Sequence, residues 1–168
     1  MNPTYHGDED FDLDGDTLHD ECGVFGMYFS DPTVQVAPYM YFALFALQHR
    51  GQESAGIAVN SNEGIECIKA KGLVGDIFNP ENLSKLAGNI GIGHVRYAST
   101  ETLSQENAQP FFSRFKLGSI AAAQNGSLTN APVIRELLED SGIAFTSNSD
   151  TEVIINLIAK NYKKGVER

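Results

Sequence analysis

"DFDLDGDTLHDECGVFG", residues 10–26, holds two overlapping patterns. From Asp10 it fits the calcium-loop pattern D-x-D-x-D-G-x5-E, with Asp10, Asp12, Asp14, Gly15 and Glu21 in register. From Cys22 it is instead an acidic leader that stops where a thiol opens a glycine-bounded apolar strand. A calcium loop needs a helix on each side. MNPTYHG before the acids and CGVFGMY after them do not read as helical, and Thr17 stands where such a loop has an aliphatic residue. The flanks favour the strand, and with it a fold that begins at Cys22.

Working outward, 168 residues with 42% hydrophobic content are enough for one real core, which sets one domain as the expectation. The net charge of -10 is concentrated at the start. Residues 1–21 carry eight acids and no Lys or Arg, whereas the remainder has 14 acids against 12 bases. The near-neutral body has no basic stripe of the kind that neutralises phosphates, so nucleic acid is not an expected partner. No apolar run has the length of a membrane span, and the leader lacks the basic start and apolar middle of a secretion signal. A cytoplasmic protein with no membrane partner is expected. Its two cysteines, Cys22 and Cys67, are expected as free thiols, and no Cys/His cluster suggests a metal.

The periodicity predicts a strand over 23–29. After the Asp31-Pro32 turn, Val36, Met40, Ala43, Leu44 and Leu47 recur on one face of a helix that stops at Arg50-Gly51. AGIAV (55–59) and IECIKAK (65–71), separated by a turn at 60–64, read as a hairpin. A short helix is expected around 81–86, a buried strand over 89–97, a polar loop over 98–110 and a small-residue strand over 117–124. Two helices follow, over 131–141 with Pro132 in its first turn and over 150–163 with an apolar stripe of Val153, Ile154, Leu157 and Ile158. Strands first and in the middle, with helices between and after, fit an α+β domain rather than βαβ alternation.

Several residues could do chemistry. Cys22 needs a base, and its sequence neighbours are His19 and acids, which disfavour a thiolate. Cleavage of the Glu21–Cys22 bond would give Cys22 an α-amine, a group that titrates near pH 8 (about 7.7–8.0), close enough to serve as base for its own side chain. The competing reading is a small buried hydrophobe. His49 and Arg50, at a helix end, complement the helix dipole in any case. Arg96 follows a buried strand and could hold a carboxylate by two parallel hydrogen bonds, or form an ordinary surface ion pair. Asn125-Gly126 is either a tight turn between strands or a pair of donors for a developing oxyanion. Ser149 or Asp150 is a candidate helix cap, and Asp150 a candidate partner for a substrate ammonium.

The order and company of these residues are more specific than any of them alone. DECGVFG, LQHRGQESAGI, GHVRYAST, ENAQP, AQNGSL and SDTEV, in that order, resemble the glutaminase domain of the amidophosphoribosyltransferase family, over Cys22 to about Ile158. The resemblance implies a class II glutamine amidotransferase with an N-terminal nucleophile hydrolase αββα four-layer sandwich. It implies Cys22 as nucleophile, Asn125 and Gly126 as oxyanion stabilisers, Arg96 as clamp for the glutamine carboxylate and Asp150 for its ammonium. Arg50 and Tyr97 take supporting places near glutamine. The sister family of hexosamine-forming transaminases usually has His before the proline, where this chain has Gln109-Pro110, which favours the purine family.

The resemblance also implies that residues 1–21 are a leader removed by self-cleavage between Glu21 and Cys22, and that 22–168 is the glutaminase domain, truncated at its C-terminus. The phosphoribosyltransferase domain of the family, which consumes the ammonia and uses magnesium, has no counterpart in this sequence. The iron-sulfur cluster of some relatives has its ligands in that part as well, so no cofactor is expected in this chain. The full-length enzyme is expected to be a homo-oligomer. A truncated domain is expected to expose apolar surface. A non-catalytic glutamine-binding module is the alternative of a different class.

Overall fold

The computed structural model describes residues 22–61, 63–97, 105–116 and 118–162. The acidic leader, with the candidate calcium loop and Glu21, lies outside the described residues.

Strand β1 (Gly23–Tyr28) leads through the Asp31 turn to helix α1 (Ala37–Ala46). In that turn the Asp31 carboxylate accepts from the Thr33 backbone at 2.9 Å and from its hydroxyl at 2.6 Å. Pro38 lies in the first turn of α1, where its missing N–H costs nothing. A 3-10 turn over Gln48–Arg50 ends the helical segment. Then come the hairpin β2 (Ser54–Ser61) and β3 (Gly64–Lys71), two single-turn helices α2 (Val74–Ile77) and α3 (Pro80–Leu83), and β4 (Ile90–Arg96). The second half contributes β5 (Phe111–Phe115), β6 (Gly118–Ala122), α4 (Ala131–Asp140) and α5 (Asp150–Asn161).

Four strands form an antiparallel sheet in the order β1-β4-β2-β3, and β5 pairs with β6 in a second, two-stranded sheet. The strand period of two splits the first sheet cleanly. Ala55, Ile57 and Val59 of β2, opposite Val95, Gly93 and Gly91 of β4, face α1 and join Val36, Met40 and Leu44 in the apolar core. Ser54, Gly56 and Ala58, opposite Arg96, His94 and Ile92, face the second sheet. A Cβ at Gly56 would clash with the Gln109 carbonyl oxygen, so only glycine lets the loop before β5 lie on this face. Helix α5 covers β5 and β6, and α4 packs on α5. The layers thus run helix, sheet, sheet, helix, the α+β four-layer arrangement.

The expected strands and helices are present, with differences that have physical causes; of the loop expected over 98–110, residues 98–104 lie outside the described residues. Strand β5 is an addition: the aromatic run Phe111-Phe112-Ser113-Arg114-Phe115 pairs with β6, and Phe111 is buried. Helix α2 is also new, four residues long, with the Val74 N–H capped by the Gln48 side-chain oxygen at 2.6 Å. The short helix expected over 81–86 begins at Pro80, held by a reciprocal capping box between Asn79 and Asn82. Helix α1 is apolar beyond a single stripe, leaving Tyr39, Phe42 and Phe45 exposed.

The buried face of α5 differs from the expected stripe. It holds Thr151, Glu152, Val153 and Ile155, while Leu157 and Ile158 are exposed. Hydrophobic periodicity misses this face because two of its members are polar residues whose hydrogen bonds satisfy them inside. Exposed apolar surface also lies on the first sheet, where Val24, Tyr28 and Ile90 share the face turned to the second sheet.

Candidate active site

Cys22 stands one residue before β1, which pairs with β4 from Gly23 opposite Val95. That pairing brings the Cys22 end of β1 beside the Arg96 end of β4. The Cys22 thiol is half-buried, with its sulfur 3.7 Å from the Tyr97 carbonyl oxygen. The Arg50 side chain, from the 3-10 turn after α1, donates from Nε to the Cys22 carbonyl at 3.4 Å. Arg50 therefore touches the Cys22 backbone and is not on the cavity wall.

A cavity of about 470 Å³ opens in front of Cys22, between the ends of the two sheets. Its wall brings together Cys22, Arg96 and Tyr97 from the first layer with Asn125, Gly126 and Asp150 from the second. Asn125 and Gly126 follow β6 on the way to α4 and join no pair of strands, which removes the hairpin reading of that dipeptide. Gly126 has φ +142°, a backbone conformation that other residues rarely adopt. Ser149 is the cap of α5, accepting from the Thr151 N–H at 3.2 Å. Asp150 is then free of capping, and its Oδ2 instead accepts from the Leu128 N–H at 2.7 Å. The carboxylate is thereby fixed to the segment that carries Asn125 and Gly126.

Two residues that sequence reasoning left without a role support this wall. Glu53, its side chain almost fully buried, places Oε2 3.5 Å from Nε of Arg96, and neither of its carboxylate oxygens has a hydrogen-bond partner among the described residues. The pair forms because the backbones of Glu53 and Arg96 are joined as well, by the Glu53 N–H to the Arg96 carbonyl at 3.0 Å. Gln109 bonds the Gln124 backbone on both sides, through its Oε1 at 2.8 Å and its Nε2 at 3.2 Å. The HRGQES and AQP motifs contained both residues, but a side chain that acts through another leaves no pattern in sequence.

His94, fully buried behind the wall, has its pKa pushed down to about 4. Burial is the main cause; the hydrogen bond to Gln124 opposes it and the Arg96 charge adds to it. The ring is therefore neutral near pH 7, and Nε2 carries the proton it shares with the Gln124 carbonyl at 3.2 Å. Cys67 is elsewhere, on β3, with its sulfur 3.8 Å from the Pro110 carbonyl. Burial pushes the Cys67 thiol's pKa above its ordinary value against the pull of Lys69, which leaves it a weak nucleophile. Among the described residues no group of three or more His, Cys, Asp and Glu could hold a metal ion, and no helix is long and apolar enough to cross a membrane.

The family described as "Glutamine amidotransferase domain" matches residues 94–168. The chain is 49% identical over 145 residues to an amidophosphoribosyltransferase of Methanothermobacter thermautotrophicus, covering 86% of this chain and 31% of that protein. It is 46% identical over 149 residues to the chloroplastic amidophosphoribosyltransferase 3 of Arabidopsis thaliana, covering 89% and 27%. Among solved structures, glutamine phosphoribosylpyrophosphate amidotransferase from B. subtilis, complexed with ADP and GMP, superposes with a TM-score of 0.70 at 42% identity, covering 83% of this chain and 29% of the other. The chain spans about a third of the length of the curated relatives it matches.

Proposed function

The chain belongs to the amidophosphoribosyltransferase family as its glutamine amidotransferase domain, and from that premise we propose that it releases ammonia from glutamine with Cys22 as nucleophile. The observation that carries the reading is the single cavity wall on which Cys22, Arg96, Asn125, Gly126 and Asp150 meet.

Each group then has a task its chemistry suits. Arg96 holds the substrate α-carboxylate, with Glu53 fixing its guanidinium, and Asp150 holds the α-ammonium. These contacts turn the side-chain carboxamide toward Cys22. Release of residues 1–21 by hydrolysis of the Glu21–Cys22 bond frees the α-amine of Cys22. The amine takes the thiol proton as sulfur attacks the carboxamide carbon. Charge gathers on the carbonyl oxygen, where Asn125 and the Gly126 N–H donate to it. The tetrahedral intermediate collapses, the amine passes its proton to the leaving nitrogen, and ammonia departs. Water then attacks the thioester, giving glutamate and the free thiol. Tyr97 and Arg50 act on Cys22 itself, through the Tyr97 carbonyl near the sulfur and the Arg50 bond to the Cys22 carbonyl.

In a whole amidophosphoribosyltransferase the ammonia would serve to make phosphoribosylamine from phosphoribosyl pyrophosphate, the first committed step of purine biosynthesis. That activity and its magnesium would belong to a phosphoribosyltransferase domain, and a homo-oligomer to the full-length enzyme. Ammonia release is the test for this chain. Cys22→Ala should abolish it, while Arg96→Ala and Asp150→Ala should raise KM for glutamine. Unchanged ammonia release by Cys22→Ala would overturn the reading.

A further inference from the structure

Gln109 is buried to 8% exposure and lies between the two sheets and α5, a place where an uncharged amide needs partners for both of its ends. It has them, and two of its three bonds go to one residue. Oε1 accepts from the Gln124 N–H at 2.8 Å and from the Thr151 hydroxyl at 3.1 Å. Nε2 donates to the Gln124 carbonyl at 3.2 Å. The same carbonyl receives the His94 Nε2–H at 3.2 Å.

Gln124 immediately precedes Asn125-Gly126. Because a trans peptide is planar, with its N–H directed opposite to its C=O, two donors on the Gln124 carbonyl fix the plane that continues into Asn125. The third bond, to the Gln124 N–H, removes the remaining freedom to pivot about that plane. Thr151 anchors Gln109 itself to the first turn of α5, and the close approach of the Gln109 carbonyl to Gly56 anchors its backbone to β2.

Resting on the glutaminase reading above, we propose that Gln109 is a positioning residue for the reaction: with His94 it clamps the Gln124 peptide and so aims the Asn125-Gly126 donors at the carbonyl under attack by Cys22. Gln109 also lines the inner cavity wall, but its three hydrogen bonds run to Gln124 and Thr151, and it is assigned no contact with a reacting atom. Its contribution belongs to the transition state, where oxyanion donors act, and glutamine's own grip by Arg96 and Asp150 does not pass through it.

The test uses the full chain, Gln109→Met, which keeps length but forms none of the three bonds, and the milder Thr151→Val, which removes only the anchor on α5. Competent sites are counted by the end point of Cys22 labelling with a diazoketone analogue of glutamine, and turnover is expressed per labelled Cys22. Loss of fold lowers the number of labelled sites but not the turnover of each. For Gln109→Met the expected result is about a 100-fold fall in turnover per site, the scale of a misplacement near 1 Å, with KM for glutamine little changed. Thr151→Val should show a smaller fall of the same kind, and it decides the matter if Gln109→Met yields no labelled sites. Unchanged turnover per site in these variants, alongside an active unsubstituted protein, would overturn this inference alone. An unsubstituted protein that labels at Cys22 but releases no ammonia would overturn the glutaminase reading and this inference with it.

Discussion

The two layers of the domain are held by different forces. In the first, α1 and the four-stranded sheet share one apolar cluster in which Val36, Met40, Leu44, Ile57, Val59 and Val95 are fully buried. In the second, β5, β6, α4 and α5 bury Leu138, Val153 and Ile155, but buried polar side chains tie the segments together. Glu152 alone accepts from the backbone N–H and hydroxyl of both Thr146 and Ser147, at 2.7 to 2.8 Å. Apolar contact sets distance without setting direction, whereas hydrogen bonds set both. The apolar layer carries Cys22 and Arg96, the proposed nucleophile and carboxylate clamp, at strand ends. The polar layer orients Asn125, Gly126 and Asp150, the proposed oxyanion donors and ammonium partner, whose angles matter most to the proposed chemistry.

If that contrast is right, the largest single loss should come from the apolar layer. Leu44→Ala should cost about 2–5 kcal/mol in chemical denaturation, because the side chain is fully buried between α1 and the sheet. A cost within error of zero would break the comparison.

Acid should act on the seam between the layers. His94 stays neutral in the folded protein down to about pH 4, whereas its ordinary value is 6.5, so below 6.5 the unfolded chain binds the extra proton. Stability should therefore fall as pH drops from 6.5 toward 4, by about 3 kcal/mol in all, and then level off for this group. Denaturation curves across that range check it, and His94→Gln should flatten the slope.

Within the polar layer, Glu152→Gln should cost about 2 kcal/mol, since it weakens charge-assisted bonds to Thr146 and Ser147. Burial alone would raise the Glu152 pKa, but those bonds outweigh it and lower it below the ordinary 4.5. Its stabilisation is present above that value and lost as pH falls through the lower folded one. Hydrogen exchange should show the loss in α5 and the 144–149 segment, with α1 unaffected. The smallest effect is expected from Lys85→Ala, whose pair with Glu81 at 3.5 Å is exposed on both sides. A change above about 0.5 kcal/mol there would be a surprise.

The contrast also explains what the sequence made legible. β1, α1, the β2–β3 hairpin and β4 follow from apolar periodicity and turn residues, because their burial is apolar. β5 was missed: FFSRF carries an exposed Arg114 and an aromatic pair at its start, so its alternation is short and broken. The buried face of α5 was misplaced because Glu152 and Thr151 are inside for reasons of hydrogen bonding. Cys22, Arg96, Asn125, Gly126 and Asp150 were legible through motif order, and they meet on one wall. Gln109 and Glu53 were not assigned roles, since each acts on another residue through a contact that exists only after the sheets stack.

The most direct measurement is intact mass followed by peptide mapping, on the purified chain and on Cys22→Ala, each incubated with and without the diazoketone analogue of glutamine. The account predicts loss of residues 1–21 and a single adduct on the peptide that begins at Cys22, with both absent from Cys22→Ala. An adduct on Cys67, or one that persists in Cys22→Ala, would contradict it.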